Sequence, residues 1–271
     1  MRTRSPSLSS SPAAAALTSP CRRLPLPCRV RLAASCTQLY AASAGWFLHQ
    51  PIRVGPRQNL EGLAAHARWL RRVAGEGAAR GAACGALAPV PDALQPTLPH
   101  AAPVEVSFEF YGPRVLDALN TLRGVNVQRV DAARCGLAAV PEALEGMESV
   151  ASLELSGNPI ERGWERLRSL RQLRELDLRN CDLTELPPAL AGMESMTRLG
   201  LRLNPIEHGW ERLRTLRQMG ELNPAGCGLT ELPAALVGMS MTRLDFGWNH
   251  TMLAWERLGS LRQLRVLDLW H

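Results

Sequence analysis

Hydrophobic residues recur on a fixed grid of 23 residues from residue 127 to the end of this 271-residue chain. Each unit opens with apolar residues at its first, fourth and sixth positions, as in Leu173, Leu176 and Leu178. Alternate apolar positions of this kind predict a short β-strand with one buried face. Later in the unit, two apolar residues three apart, such as Leu190 and Met193, predict one or two helical turns against the same core.

Seven such units follow one another without losing their frame. One residue is missing between Met219 and Met241, where the spacing is 22 instead of 23. A fixed period of about 20–50 residues is typical of a solenoid, in which each unit contacts only its neighbours. A solenoid presents extended surface, and the pattern therefore favours binding over catalysis. The units begin at Val127, Val150, Leu173, Met196, Met219, Met241 and Leu264.

A second period is superimposed on the first, because odd and even units differ at two positions. Odd units carry cysteine at the turn and then proline, whereas even units carry asparagine and then tryptophan. The repeating element is therefore predicted to be a pair of units. Two interpretations of the tryptophans stay open: they pack where the chain turns to the convex side, or they form a partly exposed aromatic stripe that binds a partner. The residues concerned are Cys135, Cys181 and Cys227, Asn158, Asn204 and Asn249, and Trp164, Trp210 and Trp255.

The units follow the pattern L-x-x-L-x-L-x-x-N/C-x-L, and Leu183–Pro187 and Leu229–Pro233 read L-T-E-L-P. On these motifs the chain resembles the leucine-rich repeat family, and within it the Ras-suppressor-like and plant intracellular Ras-group-like subclass. The resemblance implies an α/β solenoid, a horseshoe with a parallel sheet on its concave side and short helices on its convex side. It also implies an intracellular scaffold that binds a protein partner near small GTPases or kinases, without a cofactor.

Composition divides the chain into four segments. Residues 127–271 hold the repeats, and residues 104–126 are predicted to be a degenerate repeat or N-terminal cap, because a strand pattern is followed there by a helix pattern. Residues 60–103 are rich in Ala and Pro and predict a partial helix and a linker. Residues 1–59 contain Arg and Ser but neither Asp nor Glu, which predicts a disordered basic tail or, alternatively, an organellar transit segment.

The net charge of +6 belongs to the N-terminal part of the chain. Residues 127–271 hold 17 Arg against 19 Asp and Glu, a net of −2, whereas residues 1–126 hold 14 Arg against 6 acids, a net of +8. The repeats are therefore not expected to bind nucleic acid. No apolar run approaches the roughly 20 residues of a membrane span, so no transmembrane segment is predicted.

Neither an enzyme nor a metal site is predicted. All 31 basic residues are arginine, and without lysine the chain cannot form a P-loop, a protein-kinase site or a pyridoxal phosphate Schiff base. The repeat cysteines recur two units apart, which is roughly 9–10 Å in a parallel stack. That separation is too large for a disulfide and does not converge on a metal, so we expect structural residues in the turns.

The candidate binding residues lie between the buried leucines, whose neighbours along a strand point to the opposite face. The central position is acidic in five of the seven units. Like charges about 4.8 Å apart on adjacent strands repel, so these acids need nearby cations. Arg129 and Arg179 are one possible source, and a basic segment of the partner is the other. The predicted protein-binding set is Asp131, Glu154, Glu175, Asp177, Arg179, Arg198, Arg202, Glu221, Arg243, Asp245 and Asp268.

The sequence thus predicts a non-catalytic, cytoplasmic scaffold that binds a partner through the concave face of a solenoid. One alternative is that the chain is the recognition part of a larger enzyme or receptor, because it stops inside a predicted strand at Leu269-Trp270-His271. The other alternative is an organellar protein, if the acid-poor N-terminus is a transit peptide.

Overall fold

The computed structural model describes residues 52–54, 63–64, 67–68, 104–108, 114–250 and 255–270. The chain divides into two compact units, one of which holds Met1–Pro51 and Gln58–Pro103, and the other Ile52–Arg57 and Val104–His271. In the first unit, residues 63–64 and 67–68 are helical, and Leu63 and Ala67 are buried. Of the disordered or transit-like tail predicted for residues 1–59, only residues 52–54 are described, and the predicted linker lies outside the described residues.

The compact unit that holds Val104–His271 is built on one sheet of nine parallel strands that follow one another in chain order. Each strand is therefore hydrogen-bonded only to its neighbours in sequence, which is the stacking expected of a solenoid. The predicted fold class is confirmed. The strands are β1 (Ile52–Val54), β2 (Val104–Phe108), β3 (Val127–Asp131), β4 (Ser152–Glu154), β5 (Glu175–Asp177), β6 (Arg198–Gly200), β7 (Glu221–Asn223), β8 (Arg243–Asp245) and β9 (Val266–Asp268).

The core is a ladder of aliphatic side chains behind the sheet. Leu153 pairs in register with Leu176, and Leu176 with Leu199, and each is at most 1% exposed. Burying one such side chain contributes roughly 1.5–3 kcal/mol relative to leaving it in water. The period-2 apolar positions of the sequence therefore lie on the buried face, as predicted.

The start of the sheet contains one predicted strand and one that the pattern does not indicate. The alternating residues after position 103 form β2, and the helical pattern that follows forms helix α1 (Arg114–Thr121), with Val115 and Leu119 fully buried. Strand β1 pairs with β2 in parallel, although it comes from the segment predicted as a tail. The role of residues 104–126 as a cap stays a prediction.

Behind the sheet, each of the first five units returns through a short helical segment whose length alternates. The first, third and fifth units have a three-residue 3-10 helix that follows a proline, whereas the second and fourth units have a six-residue one that follows a glycine with positive φ. The pairing of units predicted from sequence is thus visible in the backbone. The segments are Glu142–Leu144, Trp164–Ser169, Pro188–Leu190, Trp210–Thr215 and Ala234–Leu236, followed by helix α2 (Trp255–Leu258).

Buried asparagines join each even unit to the odd unit before it. The amide oxygen of Asn204 accepts hydrogen bonds from the backbone N–H of Cys181 (2.8 Å) and of Leu183 (3.1 Å). Its amide nitrogen donates to the carbonyl oxygens of Leu178 (2.8 Å) and Leu201 (2.6 Å). The side chain is fully buried with its polar atoms paired, which is the condition for tolerating a polar group inside a core.

The cysteines occupy the same turn in odd units, where each thiol is a weaker hydrogen-bond donor than the asparagine amide. The thiol of Cys181 donates to the carbonyl oxygen of Leu155 (3.3 Å), and that of Cys227 to Leu201 (3.2 Å). Burial raises the pKa of Cys227, and that of Cys135, to about 11. These thiols therefore stay protonated near neutral pH, which suits a hydrogen-bond donor and not a nucleophile or metal ligand.

An arginine in each even unit reaches back to the odd unit before it. Arg166 donates to the carbonyl oxygen of Val140 (2.6 Å) and pairs with Glu142 (2.9 Å) and Glu145 (3.3 Å). A charged donor that holds a partly buried carbonyl fixes two successive turns together. The equivalent contacts are those of Arg212 with Leu186 and Glu185, and of Arg257 with Leu232 and Glu231.

Candidate functional site

The solvent-facing side of the sheet carries the predicted charged residues in aligned columns. Asp131 pairs in register with Glu154, and Glu154 with Asp177, so the acids lie side by side on adjacent strands. A shallow depression of about 510 Å³ lies on this face. The depression is lined by eight of the eleven predicted residues, namely Glu154, Glu175, Asp177, Arg179, Arg198, Glu221, Arg243 and Asp245. Asp131, Arg202 and Asp268 are not among its lining residues.

Arg179 supplies a cation to two of these three aligned acids, Glu154 and Asp177. Its guanidinium lies 2.7 Å from Oδ2 of Asp177 and 3.4 Å from Oε1 of Glu154. The hydrogen bond to Asp177 is the main reason that the pKa of Arg179 lies above its ordinary value. Of the two sources of positive charge considered from the sequence, the internal one is therefore realised at this pair of strands.

Other polar side chains on this face also form ion pairs or hydrogen bonds with residues of the neighbouring strand. Arg198 lies 2.9 Å from the carboxylate of Glu221, and the amide of Asn223 donates to Asp245 (2.9 Å). The hydroxyl of Ser152 donates to the carboxylate of Glu175 (3.1 Å). The carboxylates are half-buried and held by neighbours, so they form the floor of the face.

The arginines that project from this face are less well partnered. Arg129, Arg202 and Arg243 are exposed, and within the described part of the chain their guanidinium groups make no hydrogen bond or ion pair. Arg129 thus does not neutralise the acids, although the sequence suggested it as an internal cation. Unpaired guanidinium groups are well suited to bidentate contacts with carboxylates of another molecule.

Sequence reasoning missed an apolar patch at the carboxyl end of the sheet. Leu203 is 51% exposed, Trp248 is 63% exposed, and both have positive φ, at +59° and +57°. A Cβ placed on Gly226 between them would lie 3.0 Å from Leu203 and 3.7 Å from Trp248, so the two side chains flank one glycine. The backbone N–H of Trp248 donates to the carbonyl oxygen of Trp270, whose side chain is 79% exposed. We call Leu203, Gly226, Trp248 and Trp270 the rim patch.

The backbone at this position makes the patch unusual. The equivalent position in the other units holds Gly157, Asn180 or Arg134, and left-handed φ is the region that glycine and asparagine tolerate best. A bulky residue there costs roughly 1–2 kcal/mol, and strain of this kind is often kept at functional sites. Large apolar residues in a turn column that otherwise holds Gly, Asn or Arg are the sequence signal that could have revealed the patch.

Other kinds of site lack support in the part of the chain that the structure describes. No three His, Cys, Asp or Glu side chains there could hold a metal ion together. Among the helices of those same residues, none combines the length and apolar character needed to cross a bilayer.

Comparison with known proteins identifies the repeats. Residues 172–193 match the family described as Leucine Rich Repeat. No curated protein matches the chain. Among solved structures, an internalin of Listeria monocytogenes is 18% identical, with 62% of this chain and 46% of that chain covered and a TM-score of 0.50.

Two further solved structures are similar. A leucine-rich repeat protein of Leptospira interrogans is 21% identical, with 60% of this chain and 47% of that one covered and a TM-score of 0.47. Internalin C2 of Listeria monocytogenes is 20% identical, with 56% and 74% covered and a TM-score of 0.42. The chain spans less than half the length of the Leptospira protein and of the first internalin. The family match covers a single repeat, and the fold shared with the first internalin agrees with the stacked 23-residue units, so the part of the chain that holds the sheet has the leucine-rich repeat fold.

Proposed function

We propose that the chain is a non-catalytic protein-binding scaffold whose site is the solvent-facing side of the sheet together with the rim patch. The observation that carries this proposal is the position of the exposed Leu203 and Trp248 beside the charged columns. Protein interfaces combine a few large apolar anchors with a polar surround, whereas a monomer gains nothing from exposing them in a strained backbone.

The internal ion pairs change the expected chemistry of the partner. Because Arg179 already pairs with Glu154 and Asp177, these two acids have little need of a basic partner. The exposed guanidinium groups of Arg202 and Arg243 favour carboxylates instead. The partner surface that we propose is therefore an apolar side chain, docked on the rim patch, with acidic residues beside it.

The finer assignment rests on resemblance. The L-T-E-L-P segments support a place in the Ras-suppressor-like subclass, and from it a cytoplasmic scaffold near small GTPases or kinases. These points are analogies at the level of the family, because function belongs to sites and not to folds.

The test uses full-length protein as bait in affinity capture, with Leu203→Asn as the main variant. Asparagine tolerates left-handed φ better than leucine, so this variant should keep or raise the melting temperature while it removes an apolar anchor. We expect the captured partner to be lost with Leu203→Asn and with Trp248→Asn.

The control is Val237→Asn, because Val237 is also exposed, at 46%, but follows the 3-10 helix on the other side of the unit. Charge reversal at Arg202 and Arg243 should weaken capture, since those guanidinium groups are proposed to meet carboxylates. A partner that binds all of these variants as tightly as wild type would refute the proposed site.

A further inference from the structure

Two equivalent clefts open on the part of the units away from the solvent-facing columns. The first, of about 400 Å³, is lined by Ile160, Glu161 and Trp164. The second, of about 520 Å³, is lined by the corresponding Ile206, Glu207 and Trp210. In both clefts the opposite wall is the L-T-E segment of the next odd unit. The repeat in pairs has therefore produced the same cleft twice.

The floor of each cleft is apolar, and a tryptophan forms one of its walls. Ile160 and Ile206 are each 3% exposed and close the bottom. Trp164 and Trp210 are half-buried at the start of their 3-10 helices, and the indole N–H of Trp210 donates to the carbonyl oxygen of Ile206 (3.4 Å). A held indole with one open side is a surface on which a proline ring packs well.

The mouths of the clefts are acidic. Glu161 makes no ion pair among the residues that the structure describes, and Glu207 lies 3.9 Å from the imidazole of His208. Glu185 and Glu231 are held by Arg212 and Arg257 and add little net charge. Asp182 also lines the first cleft, and Glu211, which lies 3.9 Å from Arg212, lines the second together with Arg214. Each cleft therefore presents at least one carboxylate without a close arginine partner among the described residues, which favours an arginine or lysine in the ligand.

The distance between the two clefts matches the repeat of one backbone conformation that a bound peptide can adopt. They lie two units apart, which is about 9.6 Å at the separation of neighbouring strands. The loops on this side are also paired in parallel, at Ala139 with Arg162 and at Glu185 with His208, which keeps successive units close. A polyproline II helix repeats after three residues of about 3.1 Å, or about 9.3 Å per turn. Equivalent residues of such a helix can therefore reach both clefts at once.

We propose that the tryptophan clefts bind a basic, proline-rich segment of a partner protein in the polyproline II conformation. Prolines pack on Trp164 and Trp210, and arginine or lysine side chains meet Glu161 and Glu207. Of the two interpretations of the tryptophans offered by the sequence, this one gives the exposed stripe a ligand. The proposal does not depend on the solvent-facing side of the sheet.

The experiment measures fluorescence anisotropy of three labelled twelve-residue peptides on the full-length protein at about 150 mM salt, where free charges are screened beyond about 8 Å. The first peptide repeats Pro-Pro-Arg four times, and the second repeats Pro-Pro-Glu. The third repeats Gly-Ser-Arg, which keeps the charge but not the polyproline II backbone. We expect the first peptide to bind, the second not to bind, and the third to bind at least about tenfold more weakly.

Variants of the clefts locate the binding. The double variant Glu161→Gln with Glu207→Gln should weaken the Pro-Pro-Arg peptide about fivefold or more without affecting stability, because both carboxylates are exposed. Trp210→Ala should weaken it further, and Trp210→Phe should restore part of the loss. Asp131→Asn, Glu154→Gln and Asp177→Asn together should leave peptide binding unchanged, although they alter the face proposed for the other partner.

Three outcomes would overturn the proposal. The first is equal affinity for the Gly-Ser-Arg and Pro-Pro-Arg peptides, which would mean attraction between charges alone. The second is a peptide affinity that the cleft variants do not change. The third is no binding of the Pro-Pro-Arg peptide at millimolar concentration. None of them affects the function proposed for the solvent-facing side, which is tested with Leu203→Asn.

Discussion

At the residue scale, stability of the stack depends on buried groups that satisfy the backbone of the preceding unit. Asn158, Asn204 and Asn249 are all at most 1% exposed, and their amide groups bond to backbone on two units. A buried N–H that loses its acceptor costs more than the bond itself contributed, because no water replaces the partner.

Replacing Asn204 with alanine should therefore be strongly destabilising. The backbone N–H groups of Cys181 and Leu183 lose their shared acceptor, and we expect the free energy of unfolding to fall by about 3 kcal/mol. Urea unfolding followed by circular dichroism measures the change, with the exposed Gln218→Ala as a control that should stay within about 0.5 kcal/mol of wild type. A loss below 1 kcal/mol for Asn204→Ala would show that the amide column is dispensable.

The sequence predicted which residues occupy equivalent positions in successive units better than it predicted the contacts that their side chains make. The inward asparagines and the charged columns follow from a constant period, since every unit repeats the same strand register. The reach of Arg212 back to Leu186 and the exposure of Leu203 depend on turn geometry, which the apolar grid does not encode. That Arg179 and not Arg129 supplies the cation depends on side-chain directions that only the folded chain reveals.

At the scale of elements, the sequence placed every repeat strand but left the type of the return helix open. Two apolar residues three apart fit both a 3-10 helix and an α-helix, so the periodicity alone cannot distinguish them. The structure shows 3-10 helices from the first to the fifth unit. The residue that precedes the helix is a proline in the first, third and fifth units and a glycine in the second and fourth. Gly163 and Gly209 have φ of +84° and +88°, which lets the chain turn directly before the tryptophan.

The substitution Gly209→Ala tests the close packing of this turn. An added Cβ would lie 2.7 Å from the guanidinium of Arg212 and 3.1 Å from the backbone nitrogen of Leu186, so the arginine must move from its carbonyl partner. Gly192→Ala is the matched control, because Gly192 also has positive φ, at +95°, but no atom within 4 Å of the added carbon.

Both variants should lose the roughly 1 kcal/mol that a left-handed backbone costs alanine. Gly209→Ala should lose about 2 kcal/mol more, because the hydrogen bond and ion pair of Arg212 are disturbed as well. Thermal and urea unfolding of the two variants measure the difference. Equal losses at the two positions would show that the contact with Arg212 contributes nothing to stability.

At the scale of the whole solenoid, the sheet is a linear stack in which each strand is hydrogen-bonded only to its neighbours. The sequence predicted this organisation from the period. It could not predict β1, because Ile52–Val54 lies outside the repeating frame and about 50 residues before its partner β2. Burial is uneven along the stack, since Leu176 is 1% exposed whereas the equivalent Leu267 in β9 is 37% exposed.

Stability should therefore vary along the stack, and hydrogen exchange followed by mass spectrometry should show it. In a stack held by nearest-neighbour contacts, protection follows local burial, so peptides that cover β4 to β7 should exchange slowest and those that cover β9 fastest. Asn204→Ala should speed exchange most around β5 and β6, where its hydrogen bonds lie, and least around β3. Gln218→Ala should leave the whole profile unchanged. If Asn204→Ala sped exchange equally in every strand, the stack would unfold as one cooperative body and the nearest-neighbour account would fail.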